Sequence, residues 1–153
     1  MSGTLSLFPN DWFGIIFRLC FALLLGALIG FDRQLSHKPA GLRTHMLVCF
    51  GSAFFVLVPL LIATTQESRE AAVSRVIQGI TAGVCFIGAG EILRASQEEA
   101  KQVRVHGLTS AAAIWVSAAL GVAAGCGLWQ LGLIGAVLSL FVLSVFRILE
   151  KRL

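Results

Sequence analysis

Five long apolar runs, separated by short polar segments, dominate the pattern of this chain. A helix that crosses a bilayer needs about 20 consecutive apolar residues. Runs close to that length lie at 12–31, 44–64, 75–93, 108–124 and 128–146. The connections between them are short, which makes consecutive helices antiparallel neighbours in one bundle. The pattern therefore predicts an all-α, polytopic integral membrane protein with about five transmembrane helices.

The two ends of the chain fit this interpretation. No Lys or Arg precedes the first apolar run, whereas a secretory signal peptide begins with a positive region and has a shorter apolar core. We therefore expect the first run to be retained as a spanning helix. We also expect residues 1–153 to form a single transmembrane domain, without a cytosolic C-terminal domain.

The composition supports a lipid environment. Hydrophobic residues make up 57% of the 153 residues and charged residues only 13%, about half the charged fraction of a soluble domain. This excludes most soluble enzymes and nucleic-acid-binding modules. The net charge of +4 lies at the ends of the apolar runs, so we expect the lipid bilayer, and no nucleic acid, as a partner.

The distribution of cations predicts the orientation. Nine of the 12 Lys and Arg residues fall on one side of the five-span arrangement, namely Arg33, Lys38, Arg43, Arg94, Lys101, Arg104, Arg147, Lys151 and Arg152. Cytoplasmic loops carry the excess of Lys and Arg. The N-terminus is therefore predicted to be outside and the C-terminus in the cytoplasm of a bacterial inner-membrane, multi-pass protein.

Glycine pairs four residues apart indicate where helices pack. Three such GxxxG pairs lie in apolar runs, at Gly26 and Gly30, Gly79 and Gly83, and Gly121 and Gly125. Small residues allow close approach of helices in lipid. In the third helix, Gly90 continues the stripe and Gly88 lies opposite it, so we expect the stripe to face other helices. We also expect the chain to assemble with itself or with another inner-membrane protein.

Two arginines lie near the predicted outer ends of spans. Arg18 is about two turns inside the first span, and we interpret it as an anchor whose long side chain reaches the interface. Arg75 has the same explanation, but its position on the glycine stripe and the nearby Gln78 equally favour a buried polar pair.

A polar cluster is predicted at the cytoplasmic end. Asp32 and Glu91 end different helices at this end, and the other candidates at the same depth are Arg33, Gln34, Arg43, Thr44, His45, Arg94, Thr109 and Ser110. The two carboxylates are weak candidates for binding Mg²⁺, which needs one or two carboxylates and several waters, but the arginines compete for them. The arginines and the N-terminus of the fourth helix would instead favour an anion. A third interpretation is that these residues only terminate helices.

Other chemistry has little support in the sequence. There is no Ser/His/Asp arrangement, phosphate loop or pair of acids set up for hydrolysis, so we expect no enzymatic activity and no cofactor other than, at most, Mg²⁺. The four cysteines, Cys20, Cys49, Cys85 and Cys126, form no CxxC pair. We interpret them as small apolar packing residues rather than as a disulfide or zinc site.

Four segments carry further information through their motifs. They are GALIGFDRQ, AGLRTHMLVCFGSAFF, RVIQGITAGVCFIGAGEIL and HGLTSAAAIWVSAALGVAAGCG. In this order, over roughly residues 22–127, they resemble successive signature blocks of the MgtC/SapB membrane-protein family. The family more usually has Glu where Asp32 stands, a small residue at Cys85 and Arg at His106. Asp32 keeps the carboxylate, whereas His106 does not provide a permanent cation.

The resemblance implies a multi-pass bacterial inner-membrane protein linked to magnesium homeostasis or growth at low magnesium. It also implies action through other membrane proteins, as proposed for family members that bind the proton-driven ATP synthase. Those members commonly carry a cytosolic C-terminal domain. The alternative is a small-ion or solute transporter with its polar site at the cytoplasmic face.

Overall fold

The computed structural model describes the backbone of residues 11–98 and 107–150 and the side chains of residues 11–93 and 107–145. It contains five helices in these ranges: α1 Trp12–Leu35, α2 Leu42–Ile62, α3 Gln66–Glu98, α4 Leu108–Gly125 and α5 Trp129–Glu150. No strand occurs in the described part of the chain. The all-helical prediction is therefore confirmed.

Four of these helices are long and apolar enough to cross a membrane, namely α1, α2, the segment Gln66–Leu93 of α3, and α4. The described apolar part of α5, Trp129–Val145, is shorter. The chain is thus of the membrane-protein type. Its fifth span and its orientation remain predictions.

The largest boundary error concerns α3, which was predicted over 75–93 and runs over Gln66–Glu98. The residues before Arg75 are polar but are good helix formers. Thr65 caps the helix, because its Oγ1 accepts a hydrogen bond from the backbone N–H of Ser68 at 3.2 Å. Apolar length alone identifies the part of a helix in lipid and misses such a polar extension.

α2 and α4 contact each other in the middle of the bundle, and in the described residues α1 and α3 lie on either side of this pair without contacting one another. α5 packs against α1 and α4. Contacts between α2 and α4 join residues 72 positions apart, as for His45 with Ser117 and Ala53 with Gly125. This constant offset means that the two central helices run parallel, with both N-termini at the predicted cytoplasmic end.

Two glycine pairs lie where backbones come closest. A Cβ placed at Gly26 would lie 2.6 Å from the His45 carbonyl oxygen, and one at Gly30 would lie 2.7 Å from the Leu42 Cα. On α4, a Cβ at Gly125 would lie 2.8 Å from the Ala53 carbonyl oxygen, and one at Gly121 would meet the Cys49 backbone. α2 therefore packs on glycine surfaces of both α1 and α4.

The third glycine stripe does not pack in this way. A Cβ at Gly79, Gly83 or Gly90 would meet nothing within 4 Å, whereas one at Gly88 would lie 3.4 Å from the Ala111 Cβ. The prediction that this stripe faces the other helices is therefore wrong for the single chain. The opposite side of α3 packs inward because its branched side chains, Val73, Ile77, Ile80 and Val84, fill the space beside α2 and α4.

The cysteines agree with a packing role at two positions. Cys49 and Cys126 are buried and Cys20 and Cys85 are exposed, and all four are free thiols. The core between α1, α2 and α4 is built mostly from small side chains, including Ala22, Ala53 and Ala124. Small side chains bring the three helix axes close together.

Candidate functional site

The predicted polar cluster lies where α1 and α3 end and where α2 and α4 begin. The short connection after α1 is closed by its own hydrogen bonds. The Ser36 hydroxyl donates to the Asp32 carbonyl oxygen at 2.7 Å, and the Gln34 side-chain oxygen accepts from the N–H of Leu42 at 3.4 Å. Gln34 therefore supports the turn into α2. This tight turn places the end of α1 against the first turns of both central helices.

Arg33 is the most buried charged residue among the described members of the cluster. It is only 3% exposed, and so is Ser110 in the first turn of α4. The Arg33 Nη2 donates a hydrogen bond of 2.9 Å to the Ser110 Oγ. Two predicted site residues 77 positions apart are thus in direct contact, and the contact fixes the end of α1 to the start of α4.

Asp32 points to a different neighbour. Its Oδ1 accepts a hydrogen bond of 3.3 Å from the hydroxyl of Ser144 on α5. The sequence analysis did not include Ser144, because a hydroxyl in an apolar helix commonly bonds its own backbone. Adjacent residues of α1 therefore contact two different helices, with Arg33 on α4 and Asp32 on α5.

His45 is fully buried, one turn above the start of α2. Its Nδ1 lies 2.9 Å from the Ser117 Oγ on α4. The Ser117 Oγ also lies 3.1 Å from the Ala113 carbonyl oxygen, so this hydroxyl joins His45 to the backbone of α4. Gly26 and Gly30 of α1 leave the space that this part of α2 occupies.

Ser117 was missed by the sequence analysis, although a signal for it existed. It lies seven residues after Ser110, which places both hydroxyls on one side of α4. That side faces α1 and α2. Ser117, two helical turns after a predicted site residue, could therefore have been predicted as a member of the site.

Glu91 is partly buried, and its Oε1 is buried with no hydrogen-bond partner among the described residues. Gly88 on α3 faces Ala111 on α4, so Glu91, one turn further along α3, lies level with the first turn of α4. The free N–H groups and the dipole there favour a negative charge. Glu91 thus places a carboxylate of the chain itself near the N-terminus of α4, where the anion interpretation placed an external anion.

The structure does not favour a joint Mg²⁺ site on the two carboxylates. Asp32 and Glu91 belong to α1 and α3, between which the described residues make no contact. Within the described ranges no group of three or more His, Cys, Asp or Glu residues is placed to hold a metal ion. Among the remaining candidates, Arg43 and Thr109 are exposed and Thr44 is half-buried. The Arg94 side chain lies outside the described residues, as do His106, Lys101 and Arg104.

Arg18 corrects another prediction. It is buried rather than extended to the interface, and its Nη1 donates a hydrogen bond of 2.8 Å to the Gly125 carbonyl oxygen at the end of α4. Its guanidinium also lies 5.9 Å from the ring centre of Trp129. Arg18 therefore caps the C-terminus of α4, where the helix dipole favours a cation. The interpretation of Arg18 as an interfacial anchor did not include a backbone carbonyl inside the bundle as its partner.

The predicted buried pair of Arg75 and Gln78 is not formed within the chain. Both side chains are exposed on α3. Arg75 lies on the side of the glycine stripe, whereas Gln78 lies about 100° from Gly79 and borders a cavity that Leu60 of α2 also lines.

Comparisons with known proteins give a consistent match. A family model described as the MgtC family matches residues 19–152. The chain is 51% identical to Protein SrpB of Synechococcus elongatus over 147 residues, which cover 93% of this chain and 80% of SrpB. It is 42% identical over 141 residues to YhiD of Escherichia coli strain K12, whose name provisionally assigns it magnesium transport.

A third relative is Protein MgtC of Salmonella typhimurium, which is 36% identical over 141 residues. The chain spans 63% of the length of YhiD and 56% of the length of this MgtC protein. No solved structure matches the chain.

Proposed function

The chain belongs to the MgtC family, and from this premise we propose that it is a multi-pass protein of the bacterial inner membrane that serves magnesium homeostasis or adaptation to low magnesium. The observation that carries the proposal is the family match, which extends over residues 19–152. The provisional name of YhiD, a 42% identical relative, points to the same cation. The earlier resemblance to the family is confirmed.

We propose further that the protein acts through contacts with other membrane proteins. The packing of the described helices supports this, because α2 lies on glycine surfaces of α1 and α4 with no space for added side-chain atoms. A cavity of about 720 Å³ has mainly apolar walls formed by α2 and α3 and does not lie in the core between α1, α2 and α4. Neither the tight packing of α2 nor this apolar cavity provides a polar path for an ion.

In this proposal the cytoplasmic-end cluster is the working site. Arg33 and Asp32 each link the end of α1 to a different helix, so a change at this end affects the positions of α4 and α5 together. The acids would act through charge and position. Glu91, on the opposite side of the bundle from α1, would supply the second negative charge.

The test is growth of a deletion strain in low-magnesium medium, complemented by variants at matched membrane abundance. Asp32→Glu is expected to complement, whereas Asp32→Asn and Glu91→Gln are expected to fail. Gln66→Glu, at the exposed start of α3, is the control for a change of one charge outside the cluster. Full complementation by both neutral variants would remove the site, and a wild-type chain without effect on growth would remove the magnesium link.

The alternative function is transport of a small ion or solute, which the name of YhiD favours. It is separated from the first by measuring Mg²⁺ flux into sealed liposomes that contain only the purified protein. Under our proposal flux equals that of empty liposomes. Flux that requires Asp32 or Glu91 would establish the transporter instead.

A further inference from the structure

Toward the predicted outer end of the bundle, α3 and α4 leave a cavity between them. Near the cytoplasmic end the two helices are in contact, since a Cβ at Gly88 would lie 3.4 Å from the Ala111 Cβ. Further along, a cavity of about 190 Å³ separates them, and its lining includes Ile77 and Thr81 of α3 and Trp115, Ala118, Ala119 and Val122 of α4. Trp115 and Ala119 are exposed, so this cavity opens to the outside of the bundle.

A second cavity follows along α3 at the predicted outer end. Its volume is about 320 Å³, and its lining includes Leu60 of α2 and Arg69, Glu70, Ser74, Ile77 and Gln78 of α3. Ile77 lines both cavities, which we together call the α3 crevice. The outer part carries a cation, an anion, a hydroxyl and an amide. The inner part is apolar except for Thr81, whose hydroxyl donates to the Ile77 carbonyl oxygen of its own helix at 2.8 Å.

The depth of the crevice in the bilayer follows from the helix register. The antiparallel contact of α3 with α4 places Val84, the midpoint of the apolar run of α3, opposite Trp115, next to the midpoint of the run of α4. From this level Gln78 lies about 9 Å outward, Ser74 about 15 Å and Glu70 about 21 Å. The hydrocarbon core ends about 15 Å from the bilayer centre and the head-group layer about 20–22 Å from it. The polar part of the crevice therefore reaches into the head-group layer, and the apolar part lies at the depth of the acyl chains.

Gln78 indicates a polar ligand at the junction of these two parts. Its side chain is exposed and makes no hydrogen bond to another residue of the described ranges. An amide left unbonded in apolar surroundings costs several kcal/mol. Helical side chains lean toward the N-terminus of their helix, so this amide extends outward toward the level of Ser74. At that level the ester groups of a phospholipid join its acyl chains to the head group.

The charges of the outer part indicate the kind of head group. Arg69 is partly buried, and its Nη2 donates to the Ala63 carbonyl oxygen at 3.4 Å, which keeps the guanidinium at this end of the crevice. The Glu70 Oε1 accepts from the neutral Gln66 amide at 2.6 Å, and no cation among the described residues pairs with it. One cation and one anion match a head group with a phosphate and an ammonium group. An anionic head group would instead meet the like charge of Glu70.

We propose that the α3 crevice binds one zwitterionic phospholipid of the outer leaflet, with its phosphate at Arg69 and Ser74 and its ammonium group at Glu70. One acyl chain lies between α3 and α4, Gln78 donates to an ester oxygen, and Trp115 closes the inner end near the bilayer centre. The inner part of the crevice has no space for a helix, because one helical turn about 10 Å wide and 5.4 Å long fills about 400 Å³. The proposal uses the membrane assignment and the predicted orientation but not the magnesium-linked function.

The first test counts lipids on the purified full chain by native mass spectrometry. Phosphatidylethanolamine or phosphatidylglycerol with the same acyl chains is added at equal concentration. We expect one bound phosphatidylethanolamine per chain, held about two- to fivefold more tightly than phosphatidylglycerol, which is the size of one partly exposed ion pair.

The apolar part is tested in the same assay with two matched variants of α4. Ala119→Leu fills the crevice beside Trp115 and should lose this lipid. Ala112→Leu is the same change two turns nearer to the cytoplasmic end, at an exposed position that lines neither part of the crevice, and it should retain the lipid. Both positions are exposed, so thermal unfolding of both variants should match that of the wild type.

The second test changes the charges of the outer part. Glu70→Gln should abolish or reverse the preference for phosphatidylethanolamine, because only the cation remains, and Arg69→Gln should weaken the binding of both lipids. Glu67→Gln removes an exposed charge that does not line the crevice and should leave the preference unchanged. Glycerophosphoethanolamine, which is the head group without acyl chains, should not compete with the lipid.

Four outcomes would each overturn the proposal. They are a wild type that retains no lipid, equal binding of the two lipids by the wild type, a lipid retained equally by Ala119→Leu, and competition by the free head group. None of these measurements involves growth at low magnesium, so this proposal and the proposed function fail separately.

Discussion

At the scale of single residues, two buried arginines determine how α1 is held against α4. Arg18 and Arg33 are 15 residues apart on α1, and their partners Gly125 and Ser110 are 15 residues apart on α4. The helices are antiparallel, so one arginine reaches each end of α4. Arg18 also gains from the negative end of the α4 dipole, whereas Arg33 stands at the positive end. The buried charge of Arg33 is therefore stabilised by its hydrogen bonds and not by the α4 dipole.

The bond from Arg33 can be tested by removing its acceptor. Ser110→Ala should lower the free energy of unfolding by about 1–3 kcal/mol, because it removes one hydrogen bond from a buried charged donor. The neighbouring Thr109 is exposed, so Thr109→Ala should change the same quantity by less than about 0.5 kcal/mol. Reversible unfolding in mixed micelles of dodecyl sulfate measures both. Equal effects would mean that the bond contributes nothing.

Substitutions of Arg18 and Arg75 distinguish the capping of a helix end from anchoring at the membrane interface. Arg18→Met should cost about 1.5–3 kcal/mol, since it removes a charged hydrogen bond to the Gly125 carbonyl. Arg75→Met, at an exposed position, should have a much smaller effect on the unfolding of the monomer. If both arginines only anchored the chain at the interface, the two variants would lose similar stability in the same micelles.

These residues also show what the sequence could reveal at this scale. Asp32, Arg33, His45 and Ser110 were predicted as polar residues at one depth because charge in an apolar context is visible in the sequence. The Gly125 carbonyl was not predictable, because every residue carries a carbonyl and only the fold selects one. Ser144 was missed because a hydroxyl in an apolar helix commonly bonds its own backbone, whereas its partner Asp32 lies 112 positions away.

At the scale of helices, the spacing of the glycine pairs does not identify the helix against which each pair packs. A stripe of glycines on a helix shows which side permits close approach, but not whether α2, α4 or another molecule uses it. Gly26, Gly30, Gly121 and Gly125 contact α2. Gly79 and Gly83 have the same spacing and contact nothing in the chain. The polar start of α3 was missed because apolar length was the only criterion.

The parallel contact of α2 and α4 can be tested with two glycines. Gly121→Ala should destabilise the protein by about 1–3 kcal/mol, because its methyl group overlaps the Cys49 backbone. A Cβ at Gly51 meets nothing within 4 Å, so Gly51→Ala should be neutral or slightly stabilising through helix propensity. Thermal unfolding of the purified variants gives the comparison. A neutral Gly121→Ala would contradict the close approach of these two helices.

At the scale of the whole molecule, the parallel central helices bring the cations to one end. Lys38 and Arg43 lie beside the N-terminus of α2, and α4 starts at the same end because α2 and α4 are parallel. The segment 94–107 that precedes α4 adds Arg94, Lys101 and Arg104. We therefore expect a bundle with this helix order to present most of its cations to one side of a membrane, in agreement with the positive-inside rule.

The orientation is the remaining prediction at this scale. Reporter fusions at residues 38, 69, 100 and 153 should read inside, outside, inside and inside, with Ser2 outside. Neutralising Lys38 and Arg43 together should weaken this preference, because short loops set the orientation by their Lys and Arg residues. Neutralising Arg69 and Arg75 instead should not weaken it, since these cations oppose the predicted orientation. Alkaline phosphatase and green fluorescent protein fusions at each position provide the measurement. An outside reading at 38 together with an inside reading at 69 would reverse the orientation and place the polar cluster of Asp32, Arg33 and Glu91 on the outer side, where it could not act on cytoplasmic partners.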